Sequence, residues 1–121
     1  MNYETFDAFL ADQNFKIEAV EQGVSINEVK STIGDAIRVK IPRVGRMKPL
    51  NKVFKQPEFI NHFNKTSENP VDILWYFSDP KDSNGVISKR ECAPIVLVNN
   101  KVVGKGWEFF NAFRKKQPLR Q

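Results

Sequence analysis

The stretch Gly23-Val24-Ser25-Ile26-Asn27-Glu28-Val29-Lys30-Ser31-Thr32-Ile33-Gly34 constrains the fold more tightly than any other, because both ends of a short helix are specified in it. Ser25 is placed to cap the first free N–H groups, and Glu28, three residues on, to reach back to the Ser25 N–H in a reciprocal capping box. Val24 and Val29 are spaced as a hydrophobic staple across that cap. Ile26, Val29 and Ile33 fall on one helical face, and Gly34 supplies the positive φ that ends the helix. A short helix so bounded is a docking element and names no reaction.

The length of 121 residues predicts one domain with a real core of modest stability. Hydrophobic residues at 40% and charged residues at 27% exclude a wholly disordered chain, and ten Phe point to a core built on rings. Cys92 is the single cysteine, so no internal disulfide can form. No apolar run is long enough for a membrane span, and Met1-Asn2-Tyr3-Glu4 lacks the basic and apolar regions of a signal peptide. The expected compartment is the cytoplasm, or the periplasm and outer-membrane surface if a leader has been removed.

Charge is strongly segregated. Residues 1–28 hold six acids against the single base Lys16, whereas residues 36–57 hold seven bases and no acid. Arg114, Lys115, Lys116 and Arg120 form a second basic group near the C-terminus. Such asymmetry suits an acidic protein partner, a nucleic acid or an anionic surface, and equally a pair of solvated faces. The stretch 43–56, with Gly45, Pro49 and many bases, reads as a long loop. Its charged residues Arg43, Arg46, Lys48, Lys52 and Lys55 alternate with the apolar anchors Met47, Leu50 and Phe54, and these eight are the candidate partner-binding residues. Nucleic acid is the weaker partner, because Phe54 is the only stacking ring there and no nucleic-acid motif accompanies it.

Phe6, Phe9 and Leu10 predict an amphipathic helix over 4–13, followed by the capped helix at 26–33. Ile37, Val39 and Ile41 alternate with Arg38 and Lys40 as in a half-buried strand. Pro57 with Phe59, Ile60 and Phe63 suits a short helix with proline in its first turn. Val71 to Phe77 is rich in strand formers, and Asp79 to Gly85 is turn chemistry throughout. Two further strands, 90–98 and 101–107, are joined by Asn99-Asn100, a pair that tolerates the positive φ of a two-residue hairpin turn. Trp107, Phe110 and Phe113 mark a last amphipathic helix. The pattern is α+β, with N-terminal helices on a small antiparallel sheet and a C-terminal helix.

No constellation carries catalysis. His62 is the only histidine, and Cys92 enters what reads as a buried strand, where a thiol acts as a small hydrophobe. Gly104-Lys105-Gly106 lacks the remainder of a phosphate-binding loop, and its glycines fit a bend or the close approach of a ring such as Trp107. Asp79 and Asp82 lie in a turn, where their side chains bond the backbone. No cofactor or metal is expected.

Three segments taken together resemble the SmpA/OmlA-like small envelope lipoproteins: the capped helix Gly23 to Gly34, the strand Asp72-Ile73-Leu74-Trp75-Tyr76-Phe77, and Pro94-Ile95-Val96-Leu97-Val98-Asn99-Asn100-Lys101-Val102-Val103-Gly104. The resemblance implies two helices against an antiparallel sheet, as in β-lactamase inhibitory proteins, and a non-enzymatic binding or assembly role at the bacterial envelope. It transfers packing positions and no catalytic residue. The expected function is therefore protein binding, with polyanion or anionic-surface binding and a small soluble enzyme as alternatives.

Overall fold

The computed structural model describes the backbone of residues 2–3, 6–34, 36–41, 50–79 and 87–120, and side chains over 7–34, 55–79 and 87–120. In chain order it contains β1 (Asn2–Tyr3), α1 (Phe6–Ala19), α2 (Ile26–Ile33), β2 (Ala36–Ile41), β3 (Leu50–Lys55), β4 (Phe59–Phe63), β5 (Val71–Phe77), β6 (Cys92–Val98), β7 (Lys101–Lys105) and α3 (Trp107–Lys116). A single 3₁₀ turn, Lys89–Glu91, precedes β6. The arrangement is α+β, as the periodicity predicts. The principal sheet is antiparallel throughout, in the order β4-β5-β6-β7. A smaller sheet, β1-β2-β3, includes a parallel β1–β2 pair that sequence periodicity did not anticipate.

Strand alternation divides the core between the two faces of the principal sheet. Val71, Ile73, Trp75 and Phe77 of β5, with Cys92 and Val96 of β6, pack with Phe110 of α3. On the other face Leu74, Tyr76, Ile95, Leu97 and Val102 pack with Ile17 and Val20 near the end of α1 and with Val29 and Ile33 of α2. Thus Ile95 and Leu97 share one face and Val96 and Val98 the other. The β6–β7 turn carries Asn99 at φ 51° and Asn100 at φ 67°, the positive values expected of this hairpin.

The capped helix forms as predicted at its start, where Ser25 Oγ accepts the Glu28 N–H at 3.3 Å. The Glu28 carboxylate meets the Ser25 hydroxyl at 3.5 Å rather than its N–H, so the capping box closes from one side only. Ser25 also lies opposite Lys101 in an isolated antiparallel bridge, whose hydrogen bond runs from Val102 N–H to Val24 O at 2.9 Å. Gly34 ends the helix at φ 94°, and its N–H donates to Lys30 O at 2.8 Å. Ser25→Ala should lower stability by about 1 kcal/mol through loss of the cap. Gly34→Val should cost more, because a β-branched residue is strained at positive φ. Urea midpoints of the two variants test this, and two negligible shifts would refute it.

Three expectations need correction. The first helix runs to Ala19, so Phe15 and Ile17 lie within it; Phe9 is buried with Phe77 in one core cluster, and Ile17 with Leu74 and Tyr76 in the other. The segment 43–56 is not a loop throughout. Residues 50–55 form β3, whose backbone pairs with β2 from Leu50 opposite Ile41 to Lys55 opposite Ala36. Phe59 to Phe63 is a strand and not a helix, with Phe59 opposite Trp75 and Phe63 opposite Val71. Pairing to a buried central strand outweighs the local preference of a proline for a helix start.

Candidate functional site

Of the eight candidate binding residues, Arg43, Arg46, Met47 and Lys48 lie outside the described residues. Leu50, Lys52 and Phe54 belong to the β3 backbone, opposite Ile41, Val39 and Ile37, and Lys55 is exposed at its end. The turn at 80–86 also lies outside the described residues.

The two singular side chains are separated by the sheet. His62 Nδ1 lies 2.5 Å from Asp72 Oδ1, its register partner across β4 and β5, on the face shared with Leu74. Cys92 belongs to the opposite face, beside Phe77, and is 1% exposed. The Cys-His pair that composition allows is therefore not formed. Burial, helped by the carboxylates of Glu58 and Glu91, pushes the Cys92 thiol up to about 12. It is thus protonated at neutral pH, and it lies within hydrogen-bonding distance of Ser88 O at 3.5 Å. An open cleft of about 500 Å³ beside it is lined by Ser78, Asp79, Arg90, Ala93, Trp107 and Asn111.

Lys105 is not a phosphate ligand in waiting. Its Nζ donates to the carbonyls of Ile17 at 3.0 Å, Glu18 at 2.5 Å and Val20 at 2.8 Å, and so closes the C-terminal end of α1. At Gly104 an added Cβ would overlap the Phe109 ring, so the close approach made possible by this glycine is to Phe109 and not Trp107.

The feature with the clearest capacity for recognition is β4. It lies at one edge of the principal sheet, and β7 lies at the other. The β7 edge is covered by the chain itself: Gly23 N–H donates to Val102 O at 2.8 Å, and Val102 N–H to Val24 O at 2.9 Å. Among the described residues no second strand pairs with β4 on its outer side between Phe59 and Phe63. Ile60 is 40% exposed and His62 is exposed beside it, on the face whose helices pack over Leu74, Tyr76 and the β6–β7 pair.

Beneath that edge β4 is held firmly. The Asn61 Oδ1 accepts from Trp75 Nε1 at 2.8 Å and from Lys89 Nζ at 2.7 Å. The Lys89 ammonium lies 5.4 Å from the Trp75 ring centroid and 6.0 Å from that of Phe59. Trp75 in turn contacts Trp107 and Phe110, each at 5.2 Å between centroids. At the far end of the strand, Asn64 N–H donates to Arg120 O at 2.7 Å, and Arg120 N–H donates to Asn64 Oδ1 at 2.9 Å. An edge fixed from below and at its end presents its outward backbone groups without a large ordering cost.

Sequence reasoning missed Phe59, Ile60, Asn61, His62 and Phe63 as a strand at the end of the sheet. The signal was present as the alternation of Phe59, Asn61 and Phe63, but Phe59, Ile60 and Phe63 also satisfy helical spacing, and Pro57 tipped the reading. No protein-family model, curated protein or solved structure matches this chain.

Proposed function

We propose that this chain is a non-enzymatic protein-binding module that receives an extended segment of its partner along the outer edge of β4, in an envelope-assembly role of the SmpA/OmlA-like type in the periplasm or at the outer membrane. The observation that carries the reading is the contrast between the two sheet edges, one covered by residues 23–25 and the other, among the described residues, paired with no second strand over Phe59 to Phe63. Strand addition draws affinity from main-chain hydrogen bonds and specificity from side chains flanking the edge, here Ile60 and His62. The buried, protonated Cys92 and the His62–Asp72 pair on the opposite face favour recognition over nucleophilic chemistry. Among the described residues no helix is long and apolar enough to cross a membrane.

Selection of a displayed peptide library on the full chain tests this. Enriched peptides should alternate apolar and polar residues, and Ile60→Lys should weaken them at least about tenfold, because a lysine on the edge opposes strand pairing. Peptides indifferent to Ile60→Lys would overturn the reading.

A second reading rests on the exposed bases Arg114, Lys115, Lys116 and Arg120 at the end of α3. It favours binding to an anionic surface or polyanion. In that case binding to anionic liposomes or nucleic acid should fall steeply between about 50 and 200 mM salt and disappear on charge reversal of these four residues.

A further inference from the structure

We infer that residues 117–120 form a strap that Asn64 alone locks onto the end of β4, that opens as a unit, and that is opposed by the charge of its own Arg120. This device stands whether or not β4 receives a partner strand.

The hydrogen bonds that dock the strap converge on one residue. After α3 ends, with the Gln117 N–H on Phe113 O at 2.8 Å, the chain reaches the end of β4. There the Asn64 N–H donates to Arg120 O at 2.7 Å and Asn64 Nδ2 to Pro118 O at 3.1 Å, while Asn64 Oδ1 accepts the Arg120 N–H at 2.9 Å. The Asn64 carbonyl accepts the Ser67 N–H and hydroxyl, both at 3.0 Å, which ties the clasp to the turn before β5. Asn64 holds φ 53°, a value that asparagine adopts more readily than most residues.

Apart from that clasp, little keeps the strap down. Gln117, Pro118 and Arg120 are exposed, and Leu119 is half-buried against the cluster that contains Phe110. A segment with few buried apolar contacts and exposed hydrogen bonds opens at far lower cost than a core strand. Because all three strap bonds share Asn64, they should break together. The pairing of β4 with β5 from Phe59 to Phe63 does not depend on them.

Charge opposes the closed form. Arg120 is the single charge of the strap, and Lys65 follows directly on the clasp residue. Arg114, Lys115 and Lys116 end the helix from which the strap returns. Among the described residues none of these five bases is in an ion pair, and Glu68 is the only acid between β4 and β5. Exposed like charges act over about 30 Å at 10 mM salt and about 8 Å at 150 mM, so salt should close the strap.

Hydrogen exchange of the full chain at about 10 and 150 mM sodium chloride, the range over which screening sets in, reads the opening directly. The amides of Asn64 and Arg120 should share one protection factor, well below those of β5 and β6, and it alone should rise with salt. Arg120→Gln leaves both backbone bonds of residue 120 in place. It should raise that protection about threefold at low salt, the size expected of an exposed charge interaction, and remove most of the salt dependence. Asn64→Gly tolerates the positive φ but loses both side-chain bonds, and should lower the protection of both amides at least tenfold with β5 unchanged. Two amides as well protected as β5 would overturn the inference, as would unequal protection of the two, or indifference to both salt and Arg120→Gln. Should Asn64→Gly fail to fold, the salt series and Arg120→Gln decide.

Discussion

Trp75→Ala should lower the free energy of unfolding by about 4 kcal/mol, the usual cost of removing a large aromatic side chain from a core. Trp75 is 3% exposed and lies where three elements meet. Its ring touches Trp107 and Phe110 of α3, it carries the Lys89 ammonium on its face, and its Nε1–H is donated to Asn61 of β4. Truncation leaves a cavity between sheet and helix and removes one of the two donors that hold Asn61. Trp75→Phe keeps most of the ring and loses the donor, so about 1–2 kcal/mol is expected. Urea unfolding followed by far-ultraviolet circular dichroism measures both. The alanine variant should also show faster amide exchange in Phe59 to Phe63 than in β7. A cost for Trp75→Ala below about 1 kcal/mol would mean that this junction does not hold the edge strand.

Lys105→Met should cost about 2–4 kcal/mol, although the side chain is only half-buried. Its ammonium gathers three carbonyls from the last turn of α1 and the residue beyond it, of which Ile17 O also accepts the Val20 N–H at 3.1 Å. Methionine keeps the stem and removes every donor, so that Val20 O loses its Lys105 partner and Ile17 O keeps only the Val20 N–H. The positive charge also opposes the negative end of the helix dipole, an added contribution of about 0.3–1 kcal/mol. Lys105→Arg should rescue only in part, because a planar guanidinium fork does not fit three converging acceptors as an ammonium does. The urea midpoint gives the magnitude, and hydrogen exchange should place the loss in the amides of the last α1 turn. A uniform effect across the chain, or none, would contradict the capping role.

Local chemistry was legible in the sequence wherever a structure depends on residues close in the chain. The Ser25 cap, the positive φ at Gly34, the Asn99-Asn100 turn and the alternation of β5 and β6 each follow from a few neighbouring residues whose side chains limit the backbone directly. The α+β class follows from their order. Only the tertiary structure decided the rest, because competing local readings were separated by less free energy than one long-range contact. Phe59 to Phe63 satisfies both helical and strand spacing, and the buried β5 beside it selects the strand. Glu28 could have closed a full capping box, but its carboxylate meets the Ser25 hydroxyl and not the Ser25 N–H. Nothing near Lys105 in sequence announces that its partners lie at Ile17, Glu18 and Val20, more than eighty residues away. The edge position of β4 among the described strands is likewise invisible to any local window, since it depends on how the whole sheet is ordered.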